Sequence, residues 1–100
     1  MQLQVLSRGV EIGPALRIAI ERRVRFTFGR FGARIRLVKV TFQRRGHETC
    51  CRIVVYLAKS AQMCVEDADA GGPEAVVERL FDRVGRLAGR ELERQRERAS

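Results

Sequence analysis

The chain contains two prolines, Pro14 and Pro73; each follows a glycine and opens an apolar run of helical period. Proline suits the first helical position, where its missing N–H has no intrahelical partner to lose. After Pro14, the residues Leu16, Ala19, Ile20, Val24 and Phe28 recur at three- and four-residue spacing until Gly29 and Gly32 end the run. After Pro73 the stripe is Val77, Leu80, Val84, Leu87 and Ala88, in a helix expected to reach about Arg96. Two amphipathic helices must bury those stripes, and the segment between them has to supply the surface.

That segment has period two. Val38, Val40 and Phe42 alternate with Lys39, Thr41 and Gln43, and Cys51, Ile53, Val55 and Leu57 form one face of the next run. The pattern predicts strands over 34–43 and 50–57, joined through Arg44-Arg45-Gly46-His47. A two-residue loop at Arg45-Gly46 sets Val40 opposite Cys51 and Val38 opposite Ile53, so the two apolar faces coincide. A further strand is expected over 61–67, with Ala61, Met63 and Val65 on one face, Cys64 on the other, and its register open. Residues 3–6 make an opening strand that Ser7-Arg8-Gly9 ends. Residues 67–73 read as an acidic loop just before a helix N-terminus, where the macrodipole favours anions. The expectation is an α+β fold of order β-α-β-β-β-α. Its four-stranded sheet carries both helices on one face, and the other face has little to bury. One hundred residues suffice for a single domain spanning 1–100.

Charge narrows the function. Lys and Arg number 20 against 12 Asp and Glu, a formal net charge of +8. No apolar run approaches the roughly 18 residues of a membrane span, and the N-terminus lacks the pattern of a signal peptide. Three cysteines, two of them adjacent, do not make a disulfide framework. A basic cytoplasmic domain with a polyanionic partner is expected, with no membrane. At about 100° per residue, Arg79, Arg83, Arg86 and Arg90 fall on one flank of the second helix, while Glu78 and Asp82 fall on another. Like charges at that spacing repel, so a stripe of four needs a reason. A rail for phosphates supplies one, since the planar guanidinium grips phosphate oxygens in pairs. The first helix adds Arg22 and Arg25 outward, with Arg17 and Arg23 at the edges and Ile18 and Phe26 exposed beside them. Arg44 and Arg45 extend the surface to the hairpin tip. Nothing in this set reads bases, which favours structured RNA recognised through its backbone.

The chain resembles the ribosome hibernation promoting factor family, also called ribosome-associated inhibitor or sigma-54 modulation protein, in its short form. The likeness spans nearly the whole chain. It rests on Val10-Glu11-Ile12-Gly13-Pro14-Ala15-Leu16-Arg17, then Ile20-Glu21 and a basic pair, the strand 38–42 with its basic hairpin, and Ala75-Val76-Val77-Glu78 followed by Asp82-Arg83, Arg86 and Arg90. Gly72-Pro73-Glu74, Gly85 and Gly89 depart from the family pattern. The resemblance implies a fold much like double-stranded-RNA-binding domains. It further implies binding to the small ribosomal subunit, where such proteins occupy the messenger and transfer RNA channel and preserve idle bacterial ribosomes in stationary phase or stress. It carries the rRNA-facing role onto Arg23, Arg83, Arg86 and Arg90. The C-terminal dimerisation domain of the long form is expected to be absent, and the protein to be a monomer.

An enzyme is not expected. His47, the sole histidine, sits in a predicted turn without a carboxylate partner. His47, Cys50, Cys51 and Cys64 are metal-ligand types, but adjacent strand residues point to opposite faces. No metal or cofactor is expected. The competing readings are a different structured-RNA-binding module, or a homodimer formed through the open sheet face or through Ile18 and Phe26.

Overall fold

Gln2–Arg8 (β1) lies parallel to Ile35–Arg45 (β2), because the helix Pro14–Phe28 (α1) and the 3-10 turns of Gly29–Arg34 return the chain to the end where β1 began. Glu48–Leu57 (β3) and Gln62–Asp69 (β4) follow as antiparallel neighbours, and the helix Pro73–Ala99 (α2) completes the chain. The computed structural model describes residues 1–99. The sheet order is β1-β2-β3-β4, and both helices pack on the same face.

The core forms where the two helical stripes meet the inward strand residues. Leu16, Ile20, Val24 and Phe28 of α1 and Leu80, Phe81, Val84 and Ala88 of α2 are buried over Val38, Val40, Phe42, Ile53, Val55 and Leu57. Phe28 and Phe81 meet with ring centroids 6.3 Å apart, a tilted aromatic pair between the helices. Some expected stripe members differ. Ala19 is exposed and Leu87 only half-buried, whereas Val76, Phe81 and Leu92 are in the core.

The hairpin register differs by two residues from the sequence expectation. Arg45 pairs with Glu48, so the loop is Gly46-His47; Val40 faces Ile53, Val38 faces Val55 and Phe42 faces Cys51. Gly46 takes φ +59 at the first loop position, and no other loop residue does. That is the demand of a type II′ turn, and it places the glycine one position earlier in the loop than expected. A shift of two leaves every side chain on its expected face. Cys51 is accordingly buried in the core, its thiol pushed up to about 12 by desolvation.

Residues 67–69 are strand, not loop: β4 runs through Asp69, with Cys51 opposite Asp67 and Thr49 opposite Asp69. Cys64 pairs with Val54 and all three cysteines are free.

Gly85 and Gly89 have a specific place in this packing. A Cβ at Gly85 would lie 2.7 Å from Thr27 Cγ2, and one at Gly89 3.7 Å from Phe31 Cζ. These two glycines, one helical turn apart, therefore serve contact within the chain, and Gly85 lets α2 approach α1 at Thr27. Among the described residues no helix is long and apolar enough to cross a membrane.

Candidate nucleic-acid interface

With both helices on one side of the sheet, their outward faces form a single surface, and this surface collects most of the arginines singled out above. The structure divides them into two groups. Arg79 is engaged by the edge strand. Its Nη1 donates to Asp69 Oδ2 at 2.5 Å, its Nε to Asp67 Oδ2 at 3.3 Å, and its Nη2 to the Ala68 carbonyl at 3.3 Å. Arg83 lies 3.5 Å from the same Asp67 carboxylate. Arg23 donates to Asp82 at 2.7 Å, tying α1 to α2, and its Nε is buried without a partner.

These contacts perturb the acids as expected for charge-assisted bonds. The Asp69 carboxyl is held below the usual carboxylate range, first by the Arg79 guanidinium and then by the Gly71 N–H. Asp67 is lowered chiefly by the Ala68 N–H, with Arg79 and Arg83 adding to it. Arg79 is raised in turn, first by its bond to Asp69.

The second group has no such partners. Arg22 and Arg25 on α1 and Arg86 and Arg90 on α2 are exposed and make no ion pair among the described residues. These four have no ion pair among the described residues to give up on meeting a phosphate. Arg44 and Arg45 are likewise exposed and unpaired, but at the hairpin end of the sheet, where both helices start. The rise of a helix puts them roughly 20 Å or more from Arg86 and Arg90. They are not part of one patch with those residues.

The acids that the helical wheel sorts onto a separate flank of α2 face α1. Asp82 is taken by Arg23, and Glu78 borders the same inter-helix groove with Leu16 and Ala19. Sequence reasoning missed the strand acids, Asp67 and Asp69, as partners of the rail. The signal was the two-residue spacing of Asp67 and Asp69, which puts both carboxylates on one face of an extended strand. Ile18 and Phe26 are exposed as expected, at 47% and 81%.

No family model and no curated protein matches the sequence. Solved structures do match the fold. A ribosomal subunit interface protein from Coxiella burnetii superposes with a TM-score of 0.79 at 18% identity, covering 93% of this chain and 99% of that one. The N-terminal domain of Thermus thermophilus Protein Y superposes at 0.78 with 24% identity, covering 90% and 98%. The chain has the fold of these two proteins. The four-stranded sheet with its paired helices, expected from the periodicities, is therefore shared with both over at least 90% of the chain.

Proposed function

We propose that this protein belongs to the ribosome hibernation promoting factor family and acts in the cytoplasm as a ribosome-associated translation inhibitor. In this reading the helix layer binds ribosomal RNA of the small subunit, fills the messenger and transfer RNA channel, and holds idle ribosomes inactive under stress. The observation that carries it is the surface of unpaired arginines, Arg22, Arg25, Arg86 and Arg90, set on a fold shared with a ribosomal subunit interface protein. Arg23 and Arg79 act differently from the rest. Each is committed to a carboxylate, so they position the helices and leave direct contact to their neighbours. Arg83 joins the contact surface once phosphate competes with Asp67. Arg44 and Arg45 would touch a separate stretch of RNA.

The binding is expected to depend on backbone phosphates and so to weaken steeply with salt. Sedimentation with small subunits over a range of salt concentrations tests it. The protein should co-sediment at low salt and be released as salt rises, and Arg86→Glu with Arg90→Glu should abolish co-sedimentation. A chain that stays at the top of the gradient at low salt overturns the reading. Displacement by a messenger fragment with bound transfer RNA tests channel occupancy.

A further inference from the structure

Phe26 is the most exposed large apolar side chain of the described residues, on a helix whose neighbouring positions 22, 23 and 25 are all arginine. It lies in the last two turns of α1, beside Arg22 and Arg25, with the Arg23 guanidinium carbon 5.9 Å from its ring centroid. Its chain neighbour Thr27 meets α2 at Gly85, and Arg86 is the next residue of α2. The contrast with Phe31 is instructive. That ring is half-buried, with Arg30 at 4.8 Å and Arg34 at 5.8 Å over it. Phe31 has two guanidiniums over it and is half-buried, whereas Phe26 has one, at 5.9 Å, and is 81% exposed.

We propose that Phe26 is a stacking platform for an unpaired base of the bound RNA, with the flanking phosphates held by Arg22, Arg25 and Arg86. The inference rests on the RNA-binding reading above and adds to it a contact that phosphate gripping does not provide. A largely exposed aromatic ring on the same helix as the unpaired Arg22 and Arg25 matches the two needs of a single-stranded nucleotide, a π-face for its base and cations for its backbone. A duplex would leave the ring idle, since its bases are already stacked. The charge disfavours a second copy of this chain as the occupant, because two such surfaces repel.

Footprinting on small subunits separates the contacts. Phe26→Ala, Phe26→Leu and Phe26→Tyr are compared with the natural chain, using a base-modifying reagent and, separately, hydroxyl radicals that report the backbone. Phe26 makes no core contact, so the variants should melt with the natural chain. Alanine and leucine are each expected to lose protection of one unpaired base, keep the backbone footprint, and weaken binding roughly ten- to a hundred-fold. Tyrosine, which keeps the π-face, should retain both. An unchanged base footprint with alanine overturns the proposal, and leucine behaving as phenylalanine replaces stacking with plain apolar contact. If the natural chain leaves no footprint on small subunits, the ribosome reading fails. Stacking is then decided on an RNA hairpin with 2-aminopurine in its loop: quenching by the natural chain and not by Phe26→Ala upholds it, and no quenching overturns it.

Discussion

Arg79 Nη1 and Asp69 Oδ2 lie 2.5 Å apart, joining α2 to the edge strand beside it. Together with Asp67, this carboxylate neutralises the first turn of what the helical wheel shows as an uninterrupted cationic rail. Asp67→Asn with Asp69→Asn should therefore tighten binding to small subunits several-fold at low salt. The slope of log affinity against log salt should steepen by about one, as Arg79 or Arg83 becomes available to phosphate. Titration at four or five salt concentrations measures both. An unchanged slope would place Arg79 and Arg83 off the RNA-facing surface.

The same acids set a pH dependence. Both carboxyls sit below their ordinary range in the folded chain, so they bind fewer protons folded than unfolded near that range. Their contribution to stability is complete above the ordinary carboxylate range and is lost as pH falls through it toward the lowered folded values. The difference in melting temperature between the natural chain and Asp67→Asn/Asp69→Asn should thus be largest near neutrality and shrink on acidification. A gap that persists unchanged at pH 2 would assign it to packing.

The two glycines one turn apart in α2 should respond with opposite signs. Gly85→Ala drives a Cβ to 2.7 Å from Thr27 Cγ2, and overpacking of this kind costs about 1–3 kcal/mol. Gly89→Ala meets Phe31 Cζ at an ordinary 3.7 Å and should gain up to about 1 kcal/mol of helix propensity. Removing the obstructing methyl with Thr27→Ser should recover most of the Gly85→Ala loss. Chemical denaturation of the three single variants and the Thr27→Ser/Gly85→Ala pair checks all of these.

The β3–β4 turn holds two consecutive non-glycine residues in the left-handed region, Lys59 at φ +63 and Ser60 at φ +62. An L-residue there is disfavoured by roughly 1–2 kcal/mol, partly offset in glycine by its greater unfolded freedom. Ser60→Gly should therefore stabilise the fold by about 0.5–1 kcal/mol, read as a higher denaturant midpoint at constant slope.

The sequence makes the layers legible because each helical stripe and strand face is a local periodicity. Leu16, Ile20 and Val24 declare α1, and Val38, Val40 and Phe42 declare the inward face of β2. The hairpin register escaped because pairing Val40 with Cys51 or with Ile53 puts the same side chains inward; what separates the two is that Gly46, and not Arg45, takes the positive φ of the first loop position. The state of the arginines escaped for a different reason. A helical wheel shows what shares a face of one element, while Asp67 and Asp69 reach Arg79 from another element, 12 and 10 residues earlier in the chain. Arg86 and Arg90 look no different from Arg79 on the wheel. The fold makes them different.

The parallel pairing of β1 with β2 also orders events during synthesis. β1 leaves the exit tunnel before α1 and β2, and its only partner strand ends at Arg45. At about 5–20 residues per second, it waits a few seconds with nothing to pair against. β1 gains its partner once Arg45 has emerged, before the β2–β3 hairpin is complete at Leu57. Gln2, Gln4 and Arg8 make the outward face of that waiting strand polar except at Leu6.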